Sequence, residues 1–393
     1  MSLETTDTGE QRGGSTAGRS VVVDGRMLSQ PQCFGIARVI VEMLKHFPSD
    51  TTVPVKLLVP DHVPERFSLS QLPNTVETVV CTSPVAAPYR FRGLAATLRR
   101  LNAGVFFSPY HALAPLWVPC PLVVAVHDCI FESDLRLTNG RARQLAYMAN
   151  TARVLRQAVA VAVPSAATAA AIPGYYSSIP PVTVCRNGVD PASFVPAGPA
   201  TIEEARRTLQ LPDRFVLHVG SRRPHKNQAI LLRALAQMDP SISLVLVGRL
   251  DPRANDPVDG LISDLGLVDR VRVLDGIPDD LLVATYQAAS VFAFPSLAEG
   301  FGLPPLEAMA AGVPVVASAI PVVAEVCGNA GLLVSPYEPG KWVSALTELI
   351  ESEELTKKLV ERGYQAAANA GWESGAARLF DLLHRTAEGS IRR

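Results

Sequence analysis

Short runs of β-branched and aliphatic residues alternate along the chain with longer stretches whose apolar positions recur every three or four residues. The first set of apolar runs falls at 21–23, 56–59, 76–80, 105–108, 122–127 and 159–163, each bounded by Gly, Pro or a helical pattern. Such alternation predicts parallel strands joined by crossover helices that cover both faces of a sheet. A Pro-rich stretch over 191–199 interrupts it and is the expected linker. The rhythm then restarts at 215–219, 244–247, 271–274, 291–294, 313–316 and 331–334, with helices expected over segments such as 228–238 and 279–289. Two doubly wound α/β domains, 19–196 and 197–372, are predicted in tandem. A flexible polar tail over 1–18 precedes them and a final segment over 373–393 follows. Ligands of open α/β sheets bind beyond the carboxyl ends of the strands, so the two domains are expected to face each other across a cleft.

The 393 residues are enough for two separate cores, and 48% hydrophobic against 19% charged residues is the balance of a folded chain. A net charge of −1 lacks the basic excess that phosphate neutralisation requires, so no nucleic-acid partner is expected. The first half is nevertheless net positive and the second net negative. The 6 cysteines form no CxxC pair and no zinc-type spacing, which fits reduced thiols in a cytoplasmic protein. The polar N-terminus holds no apolar signal core, and no later run approaches the ~18 apolar residues of a membrane span. Segment 89–101 stands apart: Phe91, Leu94, Ala95, Leu98 and Leu101 share one helical face, flanked by Arg90, Arg92, Arg99 and Arg100. It reads either as a core-packing helix or as a basic amphipathic helix on an anionic membrane surface.

The densest chemistry lies between Glu299 and Glu307, where a strand runs through a Gly-rich turn into a helix. Gly300 and Gly302 leave backbone amides unobstructed before a helix that opens with Pro304 and Pro305, an arrangement suited to phosphate. Glu299 and Glu307 can each accept hydrogen bonds from sugar hydroxyls, although a surface Glu and a helix-solubilising Glu are the bland alternative. A second cluster, Arg222, Arg223, His225 and Lys226, follows a strand directly and suits a diphosphate whose charge rises on leaving. In the first half, His127 and Asp128 end a buried-looking strand, where His127 can contact a sugar hydroxyl and Asp128 can orient it, or the pair can be structural. Tyr110 and His111 follow the preceding strand and are expected to line the acceptor side of the cleft. Gly35 opens a segment, Gly35-Ile-Ala-Arg38, where backbone can approach a phosphate. No Asp-x-Asp triplet occurs, so no carboxylate-clamped metal is expected, and the P-loop and nucleophile-elbow motifs are missing.

Taken in order, Gly35-Ile-Ala-Arg38, His127-Asp128, Asn187 to Asp190, Val219 to Asn227 and the E-x7-E stretch from Glu299 to Glu307 resemble retaining GT-B glycosyltransferases. That superfamily includes glycogen synthases and bacterial α-mannosyltransferases. The resemblance implies two Rossmann-like domains, a C-terminal helix opening at Trp372-Glu373 that crosses back onto the first domain, and no cofactor beyond the nucleotide-sugar substrate. By resemblance Glu307 binds the ribose hydroxyls. Glu299, with the amides of Gly300, Phe301, Gly302 and Leu303, holds donor sugar and phosphates. Lys226 binds the diphosphate, His127 touches the donor sugar and Gly35 approaches the β-phosphate. Ser221 stands where the family often has Arg, which moves the second diphosphate cation to Arg222, and Ala37 replaces a glycine of the Gly35 loop. Segments 219–227 and 299–307 look most like mannosyltransferases that use GDP-mannose on a polyprenyl-diphosphate oligosaccharide in exopolysaccharide assembly. A lipid-linked acceptor at the inner face of the membrane, reached through 89–101, is the corresponding expectation. A UDP-sugar donor, a sugar-nucleotide epimerase and a non-catalytic two-lobed sugar-binding protein are the alternatives.

Overall fold

The computed structural model describes residues 19–391 except 31–33, 85–90, 135–139, 195–196 and 251–256. The expected tail, 1–18, and Tyr89 and Arg90 of the amphipathic segment lie outside the described residues.

The first sheet has seven parallel strands in the order β3-β2-β1-β4-β5-β6-β7. They are β1 Ser20–Asp24, β2 Val55–Val59, β3 Val76–Val80, β4 Ala103–Ser108, β5 Leu122–Ala125, β6 Ala160–Val163 and β7 Val182–Val184. The second has six, in the order β10-β9-β8-β11-β12-β13. These are β8 Phe215–Val219, β9 Ser243–Val247, β10 Val271–Leu274, β11 Val291–Phe294, β12 Val315–Ser318 and β13 Gly331–Val334. The order reverses between β1 and β4 and again between β8 and β11, which puts a ligand crevice at the carboxyl end of each sheet. Central strands such as β1, β5, β6 and β11 are buried along their whole length, as strands covered on both faces must be. Each sheet accordingly separates two cores.

β7 is an edge strand of 3 half-buried residues that the apolar pattern did not mark. β12 begins at Val315 rather than 313 because the preceding helix, Leu303–Ala310, ends in a Schellman motif. Val313 N–H donates to Ala308 O and Gly312 N–H to Met309 O, with Gly312 at φ 76° and Pro314 following. The chain enters the second domain ahead of the expected 196/197 boundary, since Val189 and Phe194 are already buried in its core. The final helix, Trp372–Ala387, returns to the first sheet and packs Trp372, Ala376, Leu379 and Leu383 into its core. Two glycines allow the crossing: a Cβ on Gly188 would lie 2.5 Å from Trp372 N, and one on Gly375 would lie 1.9 Å from Arg186 O.

Helix Phe91–Arg100 resolves the two readings of its segment. Leu94 and Leu98 are buried in the first-domain core with Leu58, Phe106 and Val124, and Ala95 between them is buried too, so that apolar face is not available to a membrane. Arg99 instead reaches over the Trp117 ring at 5.7 Å. Among the described residues, no helix is long and apolar enough to cross a membrane.

Candidate active site

The candidate residues converge from the loops after β5, β8 and β11. Past β8 the chain turns through the 3-10 segment Pro224–Lys226 to Asn227, whose backbone is left-handed at φ 56°, a conformation Asn tolerates. The Asn227 amide donates to Pro295 O at 3.2 Å and Pro336 O at 2.8 Å, tying this loop to the chain beyond β11 and β13. Lys226 is thereby aimed at Glu299: Nζ donates to Oε1 at 2.6 Å and lies 5.4 Å from the Phe294 ring centroid. Burial on its own raises the Glu299 carboxyl, but Lys226, with smaller help from His225, outweighs it and holds the group below the ordinary carboxylate value.

Gly300 is where the domains meet. A Cβ there would lie 1.9 Å from His127 O, and the Gly300 carbonyl accepts from Ser165 Oγ at 2.9 Å and Thr168 Oγ1 at 3.1 Å in the loop and helix after β6. Phe301 is buried in the second-domain core and anchors the turn, while Leu303 packs against the cores of both domains. Gly302, at φ 108°, opens helix Leu303–Ala310 without any side-chain cap. Pro304 and Pro305 have no N–H, so the first helical turn offers only the amides of Leu303 and Leu306. One turn on, Glu307 is buried, with Oε2 accepting from Tyr286 Oη at 3.0 Å and Oε1 from Arg38 Nη1 at 2.8 Å. Burial and the Glu307 charge push the Tyr286 hydroxyl well above its ordinary pKa, which keeps it a donor.

His127 faces this loop from the first domain. Its Nε2 lies 2.7 Å from Pro109 O, and because a carbonyl only accepts, Nε2 carries the proton and Nδ1 is left as an acceptor. Burial pushes the His127 pKa down and keeps the ring neutral. Asp128 Oδ1 accepts from Ile130 N–H at 3.0 Å, and burial, with a smaller push from Glu299, raises its carboxyl.

Lys226, Glu299, Gly300, Gly302, His127 and Asp128 are thus brought together, with Glu307 behind them. Four other expected residues sit differently. His111 does not line the cleft: it is buried, with Nδ1 against Ala125 O at 3.3 Å and Nε2 against Tyr147 Oη at 2.8 Å, so both ring nitrogens are satisfied internally. Tyr110 precedes it, half-buried, with its ring edge-on to His111 at 5.5 Å. Arg222 is not aimed at the Lys226–Glu299 pair. Its backbone bridges to Leu250 and its guanidinium pairs with Asp259 at 2.8 Å, whereas Lys226 pairs with Glu299. Gly35 is the second residue of helix Phe34–Lys45, and among the described residues no atom would crowd a Cβ there. Sequence reasoning assigned no role to Arg38, Tyr286, Ser165 or Thr168. Arg38 stood inside a quoted motif, but its partner is 269 positions away and no local pattern joins them.

The Glycosyl transferases group 1 family matches residues 201–366, which hold Lys226, Glu299 and Glu307. Over 338 residues the chain is 30% identical to the D-inositol 3-phosphate glycosyltransferase of Corynebacterium urealyticum, a match covering 81% of this chain and 78% of that protein. The chain belongs to the glycosyl transferases group 1 family. Another relative of this group 1 chain, the MMP alpha-(1->4)-mannosyltransferase of Mycolicibacterium hassiacum, is 31% identical over 280 residues, 67% of this chain and 65% of that one. The chain spans about half the length of several corynebacterial D-inositol 3-phosphate glycosyltransferases that it matches. Among solved structures, HepE of Anabaena in complex with UDP and glucose has a TM-score of 0.72 at 22% identity, covering 93% of this chain and 100% of that one. That likeness is one of fold, and the fold of this group 1 member is the expected GT-B pair of Rossmann-like domains.

Proposed function

We propose that this chain transfers a hexosyl group from a nucleotide sugar to an acceptor hydroxyl with retention at the anomeric carbon. The observation that carries the reading is the Lys226–Glu299 pair at 2.6 Å, set beside the Gly300–Gly302 turn, with Glu307 at one end and His127 across the cleft. In this reading the ribose hydroxyls go to Glu307, the diphosphate to Lys226 and the amides around Leu303, and the donor sugar to Glu299 and His127 Nδ1. The bond from the sugar C1 to the diphosphate oxygen breaks, and the acceptor oxygen bonds to C1 on the same face. The acceptor proton passes to the departing diphosphate. Lys226 and the helix N-terminus stabilise the charge that develops there.

For the donor we propose GDP-mannose, supported by the resemblance of segments 219–227 and 299–307 and by the name of the Mycolicibacterium relative. A lipid-linked oligosaccharide at the inner membrane face is the proposed acceptor. A phosphorylated inositol is the second reading, favoured by the names of the corynebacterial relatives. The test is thermal stabilisation by GDP-mannose, UDP-glucose, UDP-N-acetylglucosamine and UDP-galactose, with and without EDTA, followed by transfer assays on both acceptor classes. A shift with GDP-mannose that EDTA leaves intact and Glu307→Ala abolishes is expected, and Lys226→Met is expected to slow turnover about 100-fold. A shift with a UDP-sugar alone discards mannose. Stabilisation by none of them overturns the reading in favour of a non-catalytic protein.

A further inference from the structure

Glu307 is closed in from two sides. Tyr286, fully buried, donates to Oε2 from the interior, and Arg38 donates to Oε1 from the opposite domain. The Glu307 side chain is 5% exposed whereas that of Arg38 is 42% exposed, so Arg38 is the more solvent-exposed partner of the pair. Oε1 already accepts from Arg38, so a ligand hydroxyl that is to bond there competes with that guanidinium.

We infer that Arg38 is a latch on the donor site: in the empty protein its guanidinium occupies the open side of Glu307, and a nucleotide sugar enters by displacing it. The inference rests on the assignment of Glu307 to the nucleotide made above. Physical chemistry favours the exchange. The guanidinium released to solvent is rehydrated, which offsets the loss of the ion pair. Glu307 is not left bare, because ribose hydroxyls replace one donor while Tyr286 keeps the other. Other bonds between the domains, from Ser165 and Thr168 to the Gly300 carbonyl and from the amides of Ala166 and Ala167 and the Arg186 guanidinium to Glu325, do not involve Glu307. Release of Arg38 therefore unties one strap and leaves the Gly300 contact in place. Displacement weakens the apparent affinity in proportion: the intrinsic affinity is multiplied by the fraction of molecules that stand unlatched.

The experiment is calorimetric titration of GDP and UDP into the full chain, as wild type, Arg38→Met, Arg38→Gln, Glu307→Ala and the Arg38→Met/Glu307→Ala double variant. Both Arg38 variants are expected to bind the nucleotide recognised by the wild type about tenfold more tightly, the gain from abolishing a latched form that holds about nine molecules in ten. Glu307→Ala is expected to bind more weakly, and Arg38→Met to give no gain in its background. A purely structural or ligand-contacting role for Arg38 makes the opposite prediction, weaker binding. Unchanged or weaker binding by Arg38→Met and Arg38→Gln, with Glu307→Ala impaired, overturns the latch and leaves the donor site standing. Unchanged binding by Glu307→Ala overturns the donor-site assignment and the latch with it.

Discussion

Three histidines, His111, His218 and His225, are held neutral by burial, which pushes each pKa down to about 4. His218 shows the cause plainly: it lies under the site with Nδ1 against Ala293 O at 3.0 Å and Nε2 against Gln228 at 3.3 Å, and it gains further repulsion from Lys226. An unfolded histidine titrates near 6.5, so between about pH 6.5 and about 4 the unfolded chain binds protons that the native rings refuse. Stability is therefore expected to fall as pH falls through that window, by about 1.4 kcal/mol per pH unit for each ring. Thermal melts from pH 7 to pH 4 check it: His218→Gln should melt with a shallower pH slope than wild type, and an unchanged slope would show that His218 is not a contributor. The same scale holds the site's polarity. Glu299 is kept ionised by Lys226 while Asp128, nearby but without a lysine of its own, is pushed the other way.

At the scale of the element, the same apolar periodicity serves two ends, and only packing tells them apart. Helix Phe91–Arg100 has the composition of a surface-seeking amphipath, yet Leu98 is fully buried against the first sheet. Leu98→Ala is expected to cost about 2–5 kcal/mol of stability by leaving a cavity, with vesicle binding unaffected. Denaturant unfolding and co-sedimentation with anionic vesicles separate the outcomes, since a membrane-inserting face would lose vesicle binding with little change in stability. The helix from Leu303 to Ala310 illustrates the converse case, in which local chemistry suffices. Gly302 at its start, Pro304 and Pro305 in its first turn and Gly312 just past its end dictate both termini, and the Schellman closure then delays β12 to Val315. Strand β7, Val182–Val184, follows Pro180 and Pro181, but three residues are too few to stand out as an apolar run, and a short edge strand needs little apolar surface.

Across the whole molecule, the two domains are joined by more than the linker. Glu325, from helix Pro321–Cys327 of the second domain, accepts the N–H groups of Ala166 and Ala167 at 3.1 and 3.0 Å and the Arg186 guanidinium at 2.6 Å. It thus caps a first-domain helix from across the cleft. Glu325→Ala is expected to weaken the closed arrangement by about 1–2 kcal/mol, the value of a helix cap reinforced by charge. Small-angle scattering should show a larger radius of gyration and donor KM should rise several-fold, whereas an unaltered scattering profile would mean that the Gly300 contacts alone hold the cleft.

The sequence by itself determined the two α/β halves, nearly every strand, and the loops that carry Lys226, Glu299 and Glu307. These are local properties: strand burial shows as apolar runs, and Gly and Pro punctuate the turns that must follow. The tertiary structure alone decided that Arg38 closes on Glu307, that His111 turns inward to Tyr147, that Arg222 goes to Asp259 and that Gly300 touches His127. Each of those outcomes depends on which side chains the packed helices and sheets bring within a few ångströms of one another. Residues far apart in the chain leave no periodicity from which such a meeting can be read.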